Sequence, residues 1–400
     1  MRDYSKLTPE GVRDVLFEEC RAHREAQRRL ESIFRGRGYR EVITPGLEYY
    51  DVFSLPGGAI PQQEMYKSTD GAGRLLVFRP DSTLPIARMA AARLQGHSRP
   101  IRLYYSQSVF RTWPALSGHS HESAQMGVEL LGADGIRADL EVICTGVEAL
   151  RSVSGDFRLE LGHAGLFQLL AGRLDVSPER REEIRATIEA KNYGALGELL
   201  DPLGDCPEAQ AIRRLPRLFG GEEALAEAES WGLDGEAARI LEHLRALYGA
   251  LNKLGLGHRL MVDLGLVQRN DYYTGVVFSG YVEDQGRPVL TGGRYDRLCG
   301  MFGPDMPAAG FAMDMEAAAR LLGPRLAGEN PPQMLVHGEP GWELEAQRKV
   351  MELTARGIVC ESSVWDRREE ALAYAQKEGI PKVVFVGRDA EEMEVGGEEA

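Results

Sequence analysis

Long apolar runs are missing from this chain. No stretch approaches the roughly 18 residues that a helix needs to cross a bilayer, which excludes a helical membrane span. Its start, Met1-Arg2-Asp3-Tyr4-Ser5-Lys6, is charged and lacks a secretory apolar region, so a cytoplasmic location is expected. Cysteine is sparse: Cys20, Cys144, Cys206, Cys299 and Cys360 are scattered, odd in number and without a Cys-x-x-Cys pair. That excludes a disulfide framework and a zinc site and predicts reduced thiols. Basic charge is also short, with 47 Lys and Arg against 61 Asp and Glu and a net charge of −14, which argues against a broad nucleic-acid surface. No Gly-x-x-x-x-Gly-Lys spacing occurs, so Gly292-Gly293-Arg294-Tyr295-Asp296, read as a turn between strand and helix, is not a phosphate loop. His119 and His121 lack a third ligand at a recognisable spacing. They read as surface-loop residues, and neither a metal nor a cofactor is expected.

What is present suffices for a large core, since 43% of 400 residues are hydrophobic. Glu18 to Arg35 carries Ala26, Leu30, Ile33 and Phe34 at helical spacing, with Gly36 and Gly38 beyond it to end the helix. A short strand, Tyr39 to Pro45, follows. Leu75 to Phe78 reads as a buried strand. Ile101 to Phe110 and Glu122 to Leu131 alternate as two further strands. Arg137 to Ser152 is helical and Phe157 to Leu161 extended. From about 164 to 255 the pattern is helical throughout, with Ser177 as cap before Pro178, and it closes on a broad stripe running from Ile240 to Leu254. An all-helical block between strand-rich segments reads as an insertion. Met261 to Tyr281 reads as two strands around a turn at Arg269-Asn270-Asp271, and Ala309 to Met313 leads into a helix. A Gly/Pro/Asn-rich linker at 326–332 separates a body of residues 1–325 from 333–400, where strand and helix alternate as a small parallel α/β domain. The fold class is α+β.

Three places carry chemistry. On the strand ending at Leu131, Gln125 and Glu129 share one face, roughly 13 Å apart at about 3.3 Å per residue, and Gly127 between them leaves open space for a ligand. Asp81 and Thr83, at a strand's end, offer a carboxylate and a hydroxyl to a three-donor ammonium; the competing local reading is that Asp81 or Ser82 caps the next helix. Tyr272 and Tyr273 can wall an imidazole and offer phenolic hydroxyls to its nitrogens, or merely pack a sheet.

These residues carry a resemblance. Phe110, Arg111, Gly118, Gln125, Gly127 and Glu129 fall in register with motif 2 of class II aminoacyl-tRNA synthetases in the histidyl form. Asp271-Tyr272-Tyr273-Thr274-Gly275 is similar to the histidine-binding element of that family. The helix, strand and proline ending at Pro45 resemble motif 1, which builds a homodimer interface, and Ala309 to Leu322 resembles motif 3. Residues 333–400 look like a truncated anticodon-binding domain. The resemblance implies a class II synthetase-like antiparallel sheet flanked by helices.

It also implies a histidine pocket made of Asp81, Thr83, Arg111, Gln125, Glu129, Tyr272 and Tyr273. The groups that hold ATP are replaced: Trp113 stands at the motif 2 glutamate, Gln268 at the arginine before the tyrosines, and Ala317 at the motif 3 arginine. Losing one such donor costs about 10²–10³ in rate. The aspartate at position 81 looks like the family's non-catalytic branch, the regulatory subunits of short-form ATP phosphoribosyltransferase. For such a member the expectations are no catalysis, a class II homodimer, a hetero-octamer with the catalytic subunit, and a role in histidine feedback at the first step of histidine biosynthesis. The alternative is a divergent histidyl-tRNA synthetase or an amino-acid-activating relative.

Overall fold

The computed structural model describes residues 4–395 apart from 55–59, 115–117, 205, 234, 268–271, 327–331 and 390. The chain divides into two compact units, 1–324 and 325–400. In the first, the elements in chain order are α1 (Phe17–Gly36), β1 (Arg40–Glu41), β2 (Leu47–Tyr49), β3 (Lys67–Thr69), β4 (Leu75–Phe78), α2 (Thr83–Arg93), β5 (Ile101–Phe110), β6 (Glu122–Leu131), α3 (Ile136–Val153) and β7 (Arg158–His163). Then come α4 (Ala164–Gly172), α5 (Pro178–Glu189), α6 (Tyr193–Leu200), α7 (Pro207–Arg214), β8 (Phe219–Gly220), α8 (Glu222–Ser230) and α9 (Gly235–Leu251). The unit continues with β9 (Leu260–Asp263), β10 (Val276–Tyr281), β11 (Leu290–Arg294), β12 (Ala308–Asp314) and α10 (Met315–Leu326).

A nine-stranded sheet, ordered β1-β5-β6-β12-β11-β10-β7-β9-β8, is the frame. It is mixed rather than antiparallel throughout, because β1 joins β5 and β9 joins β7 in parallel. Residues directly opposite each other in a ladder point to the same face. One face therefore carries Tyr104, Val128 and Phe311, and α1 and α3 cover it. Phe34, fully buried on α1, meets Tyr104 and Phe311 at ring-centroid distances of 6.0 and 5.8 Å. Burying such a ring contributes about 1.5–3 kcal/mol. Ala22, Ala26, Leu30 and Phe34 recur at four-residue intervals, which is why this helix lies flat on the sheet. The other face carries the rows Leu103-Glu129-Gly310-Gly293, Tyr105-Gly127-Ala312-Thr291 and Gln107-Gln125-Asp314.

Several expectations change. The strand placed at Tyr39 to Pro45 shrinks to Arg40–Glu41, although the Val42 amide still donates to the Tyr104 carbonyl at 2.9 Å. Gly292-Gly293-Arg294 is not a turn but the end of β11, where both glycines let neighbouring backbone and rings approach. The two strands within Met261 to Tyr281 do not pair, because β7 runs between β9 and β10; their turn at Arg269-Asn270-Asp271 lies outside the described residues. The insertion is helical as expected except for β8, which pairs with β9 at the sheet's edge. Its closing helix stops at Leu251, and Leu254 beyond it is exposed.

The second unit contains β13 (Met334–Gly338), α11 (Glu343–Ala355), β14 (Cys360–Ser362), α12 (Arg368–Lys377), β15 (Lys382–Val386) and β16 (Glu391–Glu394). The first three strands are parallel, as alternating strand and helix predicts, and the acidic segment Glu391–Glu394 adds an antiparallel edge. Ala346 and Leu353 of α11 pack on Val336 and Val384, while Ala371 and Ala375 of α12 pack on Leu335 and Phe385.

Candidate functional site

This second sheet face, part of which packs on α2, forms the floor of a pocket of about 580 Å³, within the ordinary range for small-ligand sites. Asp81, Thr83, Arg111, Gln125, Glu129, Tyr272 and Tyr273 all line it. They come from four separate stretches: the β4–α2 turn, the residue just after β5, the body of β6, and the approach to β10. The sheet brings them together.

Glu129 is the deepest group, 1% exposed. Thr83 Oγ1 donates to its Oε1 at 2.9 Å and the Tyr295 hydroxyl donates to its Oε2. Burial pushes its pKa up to about 8, with these two donors opposing the rise and the Asp81 charge adding to it. Asp81 is also raised by burial, held back by the Arg111 charge and by hydrogen bonds from Leu84 N–H, Thr83 N–H and Tyr272. The Leu84 amide lies 2.9 Å from Asp81 Oδ1, so the capping role and the pocket position coexist in one carboxylate. Arg111 Nε donates to the Pro80 carbonyl at 2.8 Å, which anchors the guanidinium beside the β4–α2 turn. Tyr272 and Tyr273 are buried, their rings tilted at 4.9 Å, and Tyr295 meets Tyr272 edge-on at 5.9 Å. The Tyr272 and Tyr295 hydroxyls are held well above the ordinary phenol range, first by burial and then by the neighbouring acids.

The space at Gly127 is not open. A Cβ there would lie 2.0 Å from the Phe311 carbonyl and 2.7 Å from the Tyr105 hydroxyl, so the glycine admits a tyrosine from the neighbouring strand. Gly310 does the same for Glu129, since a Cβ would sit 1.8 Å from Oε2. Tyr105, Tyr295 and Gly310 are therefore site residues missed in the sequence. The signal for Gly310 was a glycine inside a strand, which marks close approach. Tyr105 required the register that sets it opposite Gly127. Tyr295 was hidden by reading its segment as a turn.

The outer wall differs in kind. Trp113 stacks on His119 at 4.2 Å, and Arg287 Nη1 lies 2.7 Å from His119 Nδ1. Burial and then this guanidinium lower the His119 pKa, so the ring accepts from Arg287 as the neutral form. Arg320, one helical turn beyond Ala317, also lines the pocket. The outer half thus contains two cations that the sequence reading did not count. His121 is not a plain surface residue. Its Nε2 accepts from the Trp113 amide at 3.3 Å, which leaves Nδ1–H to donate to the Tyr66 hydroxyl at 2.6 Å. Among the described residues no cluster of three or more His, Cys, Asp or Glu is arranged to hold a metal. Gln268 and Asp271 lie outside the described residues.

A sheet of this order with a pocket on the face opposite α1 and α3 defines a class II aminoacyl-tRNA synthetase-like core. The family model described as histidyl-tRNA synthetase matches residues 11–318. A histidyl-tRNA synthetase of a Nostoc species superposes with a TM-score of 0.77 over 97% of both chains at 20% identity, which speaks for the fold alone. A structure titled ATP phosphoribosyltransferase regulatory subunit/histidyl-tRNA synthetase from Bacillus halodurans superposes with a TM-score of 0.84, 29% identical over 97% of this chain and 100% of that one. Curated relatives named ATP phosphoribosyltransferase regulatory subunit are 36% identical in Clostridium kluyveri, over 95% of this chain and 99% of that protein, and 34% identical in Bacillus cereus, over 96% and 92%. The chain belongs to the ATP phosphoribosyltransferase regulatory subunit family, a branch with the histidyl-tRNA synthetase fold.

Proposed function

We propose that this chain is a non-catalytic regulatory subunit that binds histidine in the pocket above Glu129 and conveys its level to the ATP phosphoribosyltransferase catalytic subunit, whose activity depends on it. The observation that carries this reading is the convergence of two acids, one of them the buried Glu129, with one arginine and a buried tyrosine pair around one pocket. In this reading the ammonium group meets Asp81 and Thr83, the carboxylate meets Arg111, and the imidazole lies against Tyr272 and Tyr273 with Glu129 and Gln125 as polar partners. Feedback then requires histidine to bind two states of the complex unequally, typically by about 1–3 kcal/mol. Calorimetric titration of the chain with histidine, alone and with the short-form catalytic subunit, tests this. Micromolar binding supports it; absence of binding in both settings refutes it.

Partner assembly is part of the same proposal. Ile43, Leu47, Tyr49 and Phe78 are exposed next to the motif 1-like segment, an apolar surface suited to a second copy of the chain. A homodimer formed there, assembled with catalytic subunits into a hetero-octamer, is the expected state, with sedimentation analysis as the check. A second reading, activation of an amino acid on ATP, draws on Arg287 and Arg320 in the outer pocket. Histidine-dependent exchange of pyrophosphate into ATP decides between them: robust exchange favours the enzyme.

A further inference from the structure

We propose that Arg294, Asp139 and His243 act as a positioning brace that sets the Tyr272–Gly275 wall of the pocket and ties it to the helical insertion. The inference deepens the histidine-pocket reading and rests on it.

Arg294, on β11, sends its side chain to the face opposite the pocket. Its Nε lies 2.8 Å and its Nη2 2.7 Å from Asp139 Oδ1 in the first turn of α3, and its Nη1 lies 2.8 Å from Asp296 and 3.2 Å from the Ala133 carbonyl. Asp139, 1% exposed, turns its other oxygen to His243 Nε2 at 2.8 Å. His243 belongs to α9, the last helix of the insertion. One carboxylate therefore joins an insertion helix to a sheet strand.

The strand passes this constraint to the tyrosines. The Arg294 carbonyl accepts from the Thr274 amide at 2.8 Å, and Thr274 Oγ1 accepts from the Asp296 amide at 3.0 Å. The aliphatic stem of Arg294 lies where a Cβ on Gly275 would sit, 2.8 Å away, so this residue must be glycine for the wall to close. On the pocket side, Gly293 admits the Tyr273 ring, which a Cβ would approach to 2.7 Å. Residues 293 and 294 thus hold the tyrosine wall from both faces. The Gly275 carbonyl also accepts from Ala164 N–H at 3.0 Å, where the insertion begins. A buried ion pair is weak evidence for stability, because desolvation offsets the attraction; fixing one arrangement of the wall is the better account of its presence.

His243 is the gentle point of attack, since its side chain is 30% exposed whereas Asp139 and Arg294 are buried. The test compares H243A and H243Q with the unmodified chain in two readouts: histidine affinity by calorimetry and hydrogen exchange of the 272–277 backbone by mass spectrometry. The brace predicts that H243A weakens histidine binding roughly three- to ten-fold and accelerates exchange in 272–277, and that H243Q, which still presents an N–H to Asp139, recovers most of both. Unchanged affinity and exchange in H243A overturn the proposal, as does acceleration confined to α9. If the unmodified chain binds no histidine, the pocket reading fails by itself, and the exchange readout still decides whether the brace exists.

Discussion

Glu129→Gln is the most informative single change, because it keeps the shape of a side chain whose charge the fold disfavours and, like the protonated acid, presents one acceptor and one donor. The ordinary carboxylate value is 4.5 and burial moves it to about 8, a rise of about three and a half pH units. Each pH unit is worth about 1.36 kcal/mol, so between the two values ionisation works against the native state by on the order of 5 kcal/mol. The sign follows from proton counting. In this window the native state binds more protons at this group than the unfolded chain does, so the Glu129 contribution to stability is full below pH 4.5, falls as pH rises and levels off above about 8. Spread over roughly 300 residues at about 2.1 cal/mol/K each, that difference corresponds to a Tm change on the order of 8 °C. Thermal unfolding of the ligand-free chain from pH 4.5 to 9 should show the unmodified protein losing Tm with pH more steeply than E129Q, with the variant the more stable at pH 8.5. In the proposed reading histidine reverses the comparison: its ring N–H donates more strongly to the Glu129 carboxylate than to an amide oxygen, so E129Q binds it more weakly. Parallel Tm profiles across the window would refute the assignment of a raised carboxylate.

Four further outcomes are expected. D81N keeps an oxygen for the Leu84 amide and folds with nearly unchanged Tm but loses histidine affinity by ten-fold or more, whereas D81A also loses about 1 kcal/mol of capping, read by urea unfolding. G310A forces a methyl group against Glu129 and should cost about 1–3 kcal/mol by the same measurement, with histidine binding lost. T83V removes one of the donors to Glu129, lowering affinity about five-fold by calorimetry, a loss of about 1 kcal/mol. I43E with Y49E places charge on the exposed apolar surface and shifts sedimentation from dimer to monomer without changing far-ultraviolet circular dichroism.

Local periodicity was enough to read the α+β class, the helix beginning near residue 17, the strand Leu75–Phe78 (though not its burial, since only Val77 is buried), the helical insertion and the alternation of the second unit, because each is set by contacts within a few residues. Motif residues in register likewise marked seven of the side chains that line the pocket. The remainder depended on pairings distant in the chain. Only the ladder between β5 and β6 sets Tyr105 over Gly127, and only the one between β6 and β12 lays Glu129 on Gly310. The same holds for β7 running between β9 and β10 and for His243 meeting Asp139, 104 residues away. By itself the sequence determined which side chains were available and which local elements carry them. The tertiary structure decided which of them share one pocket, and burial, which no local window contains, is what pushes the Glu129 carboxyl up to about 8 from its ordinary value.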